Sequence, residues 1–131
     1  MKQDSKPIIL VNVDHSSVRK RFTIAHELGH FILKHGRDGL FIDKKEHFIF
    51  RNESSARGEE RQEVEANAFA AELLMPEKMV KTELEKLSNI GFNLFAEDED
   101  LELIRKLAEK FNVSSTSMTF RMANLNLMDN F

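Results

Sequence analysis

A chain of 131 residues with 41% hydrophobic and 31% charged residues describes one ordinary globular domain, residues 1–131, and excludes fibrous or disordered classes. A net charge of −3, with acidic runs at Glu59-Glu60 and Glu97-Asp98-Glu99-Asp100, argues against a surface given over to nucleic-acid phosphates. The absence of cysteine excludes disulfides and Cys-ligated metals and suits a reducing cytoplasm, and no apolar run approaches the ~20 residues of a bilayer span or forms a signal peptide.

Pro7-Ile8-Ile9-Leu10-Val11-Asn12-Val13 is short and β-branched and reads as a buried strand. Asp14 or Ser16 can cap the helix that follows, which ends near Lys34-His35-Gly36 with glycine as the usual stop. Residues 40–43 and 47–50, separated by Lys44-Lys45-Glu46, read as a hairpin, and the polar stretch 51–58 as a loop. A second helix is expected over residues 59–75, stopped by Pro76, which then suits the first turn of a third helix over 77–87. Residues 88–96 read as a loop carrying Phe92 and Phe95. Two helices follow, over 98–111 and 114–125, with Asn112-Val113 between them. The order predicts an α+β fold, mainly helical, with a small antiparallel or mixed sheet beside the first helix.

That first helix holds His26-Glu27-Leu28-Gly29-His30, the pattern H-E-x-x-H. Positions i and i+4 share a helix face, so both imidazoles can point at one ion. Glu27 is rotated about 100° from His26 and can reach a water on that ion without binding the ion itself. Zinc hydrolases need this division of labour, with neutral nitrogens holding the metal and a carboxylate taking the water's proton. Phe22, Ala25, Leu28 and Ile32 give the helix an apolar stripe. Gly29 costs the helix roughly 1 kcal/mol against alanine, so it implies a close backbone approach.

Two histidines need a further protein ligand. In the second helix Glu63, Asn67, Ala70 and Leu74 fall on one stripe, and Ala66 and Ala70 are small enough for another helix to pack close. Glu63 would complete a His/His/Glu set with an open position for water, and Asn67 could fix the tautomer of a ligating imidazole. The rival carboxylate is Glu65, roughly 160° round the helix, and Glu63 is preferred. His35 does not continue a third-histidine pattern and is read as a residue favoured by the helix C-terminal dipole. His15 and His47 lack metal spacing and read as surface residues. Zinc suits the ligand set, with Mn2+ as the alternative.

Residues 21–30 and 63–76 together resemble the two signature blocks of the ImmA/IrrE metallopeptidases, and residues 107–114 with Arg121-Met122-Ala123-Asn124-Leu125 are similar to that family's closing helix pair. The resemblance covers nearly the whole chain from Ile8. It implies a compact zincin-like domain, a cytoplasmic peptidase, and a DNA-binding repressor as its protein substrate. Carried over by position, it implies His26, His30 and Glu63 as metal ligands and Glu27 as general base. Many members carry more sequence ahead of the first strand, so the resemblance sets the expectation of a domain without an N-terminal extension. The chain has no tyrosine, so no phenol can stabilise an oxyanion.

Two other functions compete. Residues 107–122 have the rhythm of a helix-turn-helix, with Ser114 capping its second helix. That helix offers only Arg121 to a duplex, where several cations are needed, so a pair covering the core through Leu107, Phe111, Met118, Met122 and Leu125 is preferred, with no direct nucleic-acid contact. The other alternative is a non-catalytic domain that binds and sequesters a repressor.

Overall fold

The computed structural model describes residues 6–35, 53–89 and 97–128. Among them are five helices: α1 (Ser17–Ile32), α2 (Glu53–Leu74), α3 (Glu77–Asn89), α4 (Glu97–Phe111) and α5 (Ser115–Asn124). No strand occurs among the described residues, so the expected α+β fold with a sheet beside α1 is corrected to an all-helical one. The segment 7–13 shows why. A β-branched run becomes a strand only when a second chain segment pairs with its amides and carbonyls. Here Ile8, Leu10 and Val13 are 81%, 86% and 77% exposed, and no ladder forms. The Asn12 side chain instead accepts from the Asp14 amide at 2.9 Å, and the His15 amide donates to the Asn12 carbonyl at 3.2 Å, turning the chain into α1. The hairpin expected over 40–50 lies outside the described residues, as do Phe92 and Phe95.

Ser16, rather than Asp14, caps α1: its hydroxyl accepts from the Arg19 amide at 3.3 Å. The far end of α1 stops at Ile32, two residues after His30, and its left-handed residue is not glycine. Lys34 takes a left-handed conformation (φ 58°), the His35 amide donates to the His30 carbonyl at 2.9 Å, and the Lys34 amide donates to that of Phe31 at 3.2 Å. These two bonds form a Schellman closure with a lysine where glycine is usual.

Helix α2 begins six residues before the expected position 59, taking in part of the stretch read as a loop. Glutamate, alanine and arginine in that stretch are good helix formers, and Gly58 is tolerated because nothing lies within 4 Å of where its Cβ would stand. At the other end Pro76 closes α2 and opens α3, its carbonyl accepting from the Val80 amide at 2.9 Å. Asn112 repeats the left-handed stop after α4 (φ 52°), and the Ser114 hydroxyl caps α5 by accepting from the Ser117 amide at 3.0 Å.

Helix α1 packs along α2, α3 against α4, and α4 against α5. The core gathers Ala25, Ala70, Leu74, Met75, Val80, Leu103, Leu107, Phe111, Met118 and Met122. Leu107, Phe111, Met118 and Met122 thus serve as expected, whereas Leu125 is only half-buried and Ile32 is exposed. Two arginines join helices end to side. The guanidinium of Arg21 on α1 donates to the Phe111 and Asn112 carbonyls at 2.6 and 3.1 Å, and the buried Arg121 on α5 donates through Nε to the Met75 carbonyl at 2.9 Å. Each satisfies carbonyls left open at a helix C-terminus and sits favourably against its dipole. Arg121, the residue a duplex would need, is thereby engaged inside the protein.

Helix α1 approaches α2 closely at Gly29. A Cβ there would stand 3.1 Å from both Cβ and Cδ1 of Phe69 and 3.2 Å from the Ala66 carbonyl oxygen. Two of those atoms belong to or hang directly from the α2 backbone and cannot swing away. Gly29→Ala should therefore lower stability by about 1–2 kcal/mol, the overpacking outweighing the gain in helix propensity. Gly58→Ala, facing open space, should raise it by about 0.5–1 kcal/mol. Urea unfolding of the two variants checks both, and the same sign for both would remove the steric account.

Lys110 of α4 and Lys86 of α3 donate to Glu83 at 2.8 and 3.1 Å, and these bonds hold its carboxyl below the ordinary carboxylate range. A lowered folded-state pKa adds stability at neutral pH that is lost as pH falls through that pKa. The melting temperature of Glu83→Gln should accordingly lie below that of the parent protein near pH 7, and the gap should close below about pH 4. A gap independent of pH would assign the effect to something other than this charge.

Candidate metal centre

The α1–α2 contact decides which side chains meet. On α2, Glu63 lies about 60° to one side of Ala66 and Glu65 about 100° to the other. Ala66 is fully buried on the line of contact, so each carboxylate flanks it and reaches along α1 at a different height. Glu63 reaches His26 and His30. Its Oε2 is 3.1 Å from His26 Nε2, its Oε1 is 3.0 Å from His30 Nε2, and the two Nε2 atoms are 3.0 Å apart. One ligand atom from each of the three residues lies within 4.8 Å of the others.

Both rings are buried and the carboxylate is half-buried. The imidazoles meet nearly edge to face, 4.6 Å between centroids and 89° between planes, with their Nε2 atoms brought together. A tetrahedral cation with ligand bonds of about 2.0–2.1 Å separates its ligand atoms by about 3.3 Å. The two Nε2 atoms come within a few tenths of that spacing, and each faces a different oxygen of the Glu63 carboxylate. Two imidazole nitrogens and a carboxylate oxygen are donors that zinc or manganese accepts, so the residues present fit a divalent cation.

The nitrogens that face away are also occupied. Asn67, one turn along α2 from Glu63, sets its Oδ1 2.8 Å from His26 Nδ1. With that oxygen as acceptor, His26 Nδ1–H donates and Nε2 keeps its lone pair for the cluster. His30 turns Nδ1 to His35 Nδ1 at 2.9 Å. The sequence alone marks His35 as a residue at the end of α1. The Schellman turn at Lys34 instead folds it back beside His30, its side chain 6% exposed.

Glu65, the rival carboxylate, bonds His35 and not the cluster: its Oε2 is 3.0 Å from His35 Nε2, and its Oε1 accepts from Arg61 Nε at 2.9 Å. Those two partners hold the Glu65 carboxyl below its ordinary range. Glu27 is half-buried beside His26 on α1. His15 lies before α1, apart from the cluster, and His47 lies outside the described residues. Arg61 and Glu65 form an i, i+4 pair on the exposed side of α2, a spacing that by itself gives no sign of the contact with His35.

Comparison with known proteins bears on this geometry. The profile of the IrrE N-terminal-like domain matches residues 1–123. The radiation response metalloprotease IrrE of Deinococcus radiodurans is 33% identical over 115 residues, covering 88% of this chain and 30% of that protein. The protein of the same name from Deinococcus deserti is 30% identical over 116 residues, covering 88% of this chain and 36% of its own length. The chain thus spans about a third of the length of the curated relatives it matches. No solved structure matches. No helix among the described residues is long and apolar enough to cross a membrane. With a His/His/Glu cluster at its centre and the family profile along nearly its whole length, the chain belongs to the ImmA/IrrE family of metallopeptidases.

Proposed function

We propose that this domain is a zinc-dependent endopeptidase that works in the cytoplasm and cleaves a DNA-binding repressor. The convergence of His26 Nε2, His30 Nε2 and the Glu63 carboxylate within 4.8 Å carries the reading, because it is the donor set a hydrolytic metal needs. The family supplies the peptidase chemistry, and the lack of cysteine suits a reducing compartment.

In this reading His26, His30 and Glu63 hold the cation, and Glu27 is the general base. When bound, the cation supplies Lewis acidity, lowering the pKa of a water and polarising the scissile carbonyl. Glu27 accepts the water's proton on its carboxylate and passes it to the leaving amine. Asn67 holds His26 with its lone pair toward the cluster, so the ring binds as a neutral ligand. The packed α1–α2 interface fixes the separation of the histidines from Glu63.

Glu27→Gln should bind zinc as the parent does and lose peptide hydrolysis by about 10²–10⁴-fold. Glu63→Ala should lose zinc by more than the ~10–100-fold typical of changes outside the ligand set. Metal content by atomic absorption and cleavage of candidate repressors on gels read out both. Full cleavage by Glu27→Gln would remove that residue from the chemistry. Relief of repression by Glu27→Gln equal to that of the parent would replace proteolysis with sequestration.

A further inference from the structure

We propose that His35 and Glu65 form a positioning chain that sets the tautomer of His30 and so tunes the affinity of the metal centre. The inference rests on the reading that His26, His30 and Glu63 hold a cation. It concerns two residues outside that set.

Once His30 Nε2 gives its lone pair to a cation, its proton must sit on Nδ1, and that N–H needs an acceptor. The atom 2.9 Å away is His35 Nδ1, which can accept only if His35 carries its own proton on Nε2. An imidazole left to itself exchanges between the two tautomers. Glu65 removes the choice: its carboxylate has no hydrogen to give, and its Oε2 stands 3.0 Å from His35 Nε2. The Nε2–H tautomer is therefore imposed, His35 Nδ1 accepts, and His30 Nδ1–H donates.

The chain of bonds runs Glu65, His35, His30, and ends on the nitrogen that faces Glu63. Arg61 bonds the other Glu65 oxygen at 2.9 Å and keeps the carboxylate turned toward His35. The arrangement parallels what Asn67 does for His26, with one more ring in between. Each ligating imidazole thus has its outward nitrogen satisfied by a separate partner, as metal-binding histidines generally require. Glu65 and Glu63, two residues apart on α2, divide the work: one addresses the cluster and the other addresses the support behind it.

The test is zinc affinity by chelator competition in His35→Phe, Glu65→Ala, Glu65→Gln and Glu63→Ala, with imidazole nitrogen NMR on the zinc-loaded parent. His35→Phe keeps the ring volume and removes the acceptor, so it and Glu65→Ala should each weaken zinc binding ~10–100-fold. Glu65→Gln retains an acceptor oxygen and should recover most of the loss. In the parent, His35 should show a protonated Nε2 and an unprotonated Nδ1, and His30 a protonated Nδ1. Zinc affinity in His35→Phe and Glu65→Ala equal to the parent's, or His35 protonated on Nδ1, would overturn the proposal. If His35→Phe does not fold, Glu65→Ala decides alone, because Glu65 is 40% exposed and outside the core. Unchanged affinity in Glu63→Ala would instead overturn the metal centre itself, so the two failures are told apart.

Discussion

The distance between α1 and α2 governs everything the candidate centre can do. Imidazoles one turn apart on a single helix can share an ion with a carboxylate only if the helix bearing that carboxylate lies close and stays there. Gly29 and Ala66 set the separation, because neither presents a side chain large enough to hold the axes apart, and Phe69 packs directly onto the glycine. The approach is also what buries His26 and His30, and burial strengthens their attraction for a cation by excluding competing water. Helix packing and ligand geometry are one constraint here.

The remaining helices hold that pair in place. The core formed by α3, α4 and α5 closes over Ala70, Leu74 and Met75 at the far end of α2. Arg21 and Arg121 then bind helix ends to their neighbours through carbonyls that would otherwise be unsatisfied. Arg121 also illustrates how a helix-turn-helix rhythm can serve packing. Its guanidinium lies against the end of α2, and Met118 and Met122 on the same helix are in the core.

What could be read from the residues were the features that local chemistry decides. The i, i+4 pair of histidines, the cap at Ser114, the break at Pro76 and the tight approach at Gly29 each follow from a short stretch of chain. The strand at 7–13 failed because pairing is non-local: Ile8, Ile9 and Val11 state a preference, and only a second strand could realise it. The early start of α2 was obscured by a polar stretch ending in Gly58, where composition suggested a loop although several residues favour a helix. His35 was missed for a geometric reason. Its position depends on one left-handed residue, and lysine at that point gives no advance notice of the turn that glycine would.

Lys34 pays a conformational penalty of about 1–2 kcal/mol for standing left-handed with a Cβ. The contacts just beyond it, His35 to His30 and to Glu65, are what offset that penalty. In the proposed reading the stop of α1 is thereby coupled to the residues that would hold a cation. Whatever steadies His30 also steadies the last turn of the helix, and by linkage whatever frays that turn loosens the grip on the ion. If His30 ligates a cation as proposed, amide exchange at residues 33–35 would gauge its binding one turn away.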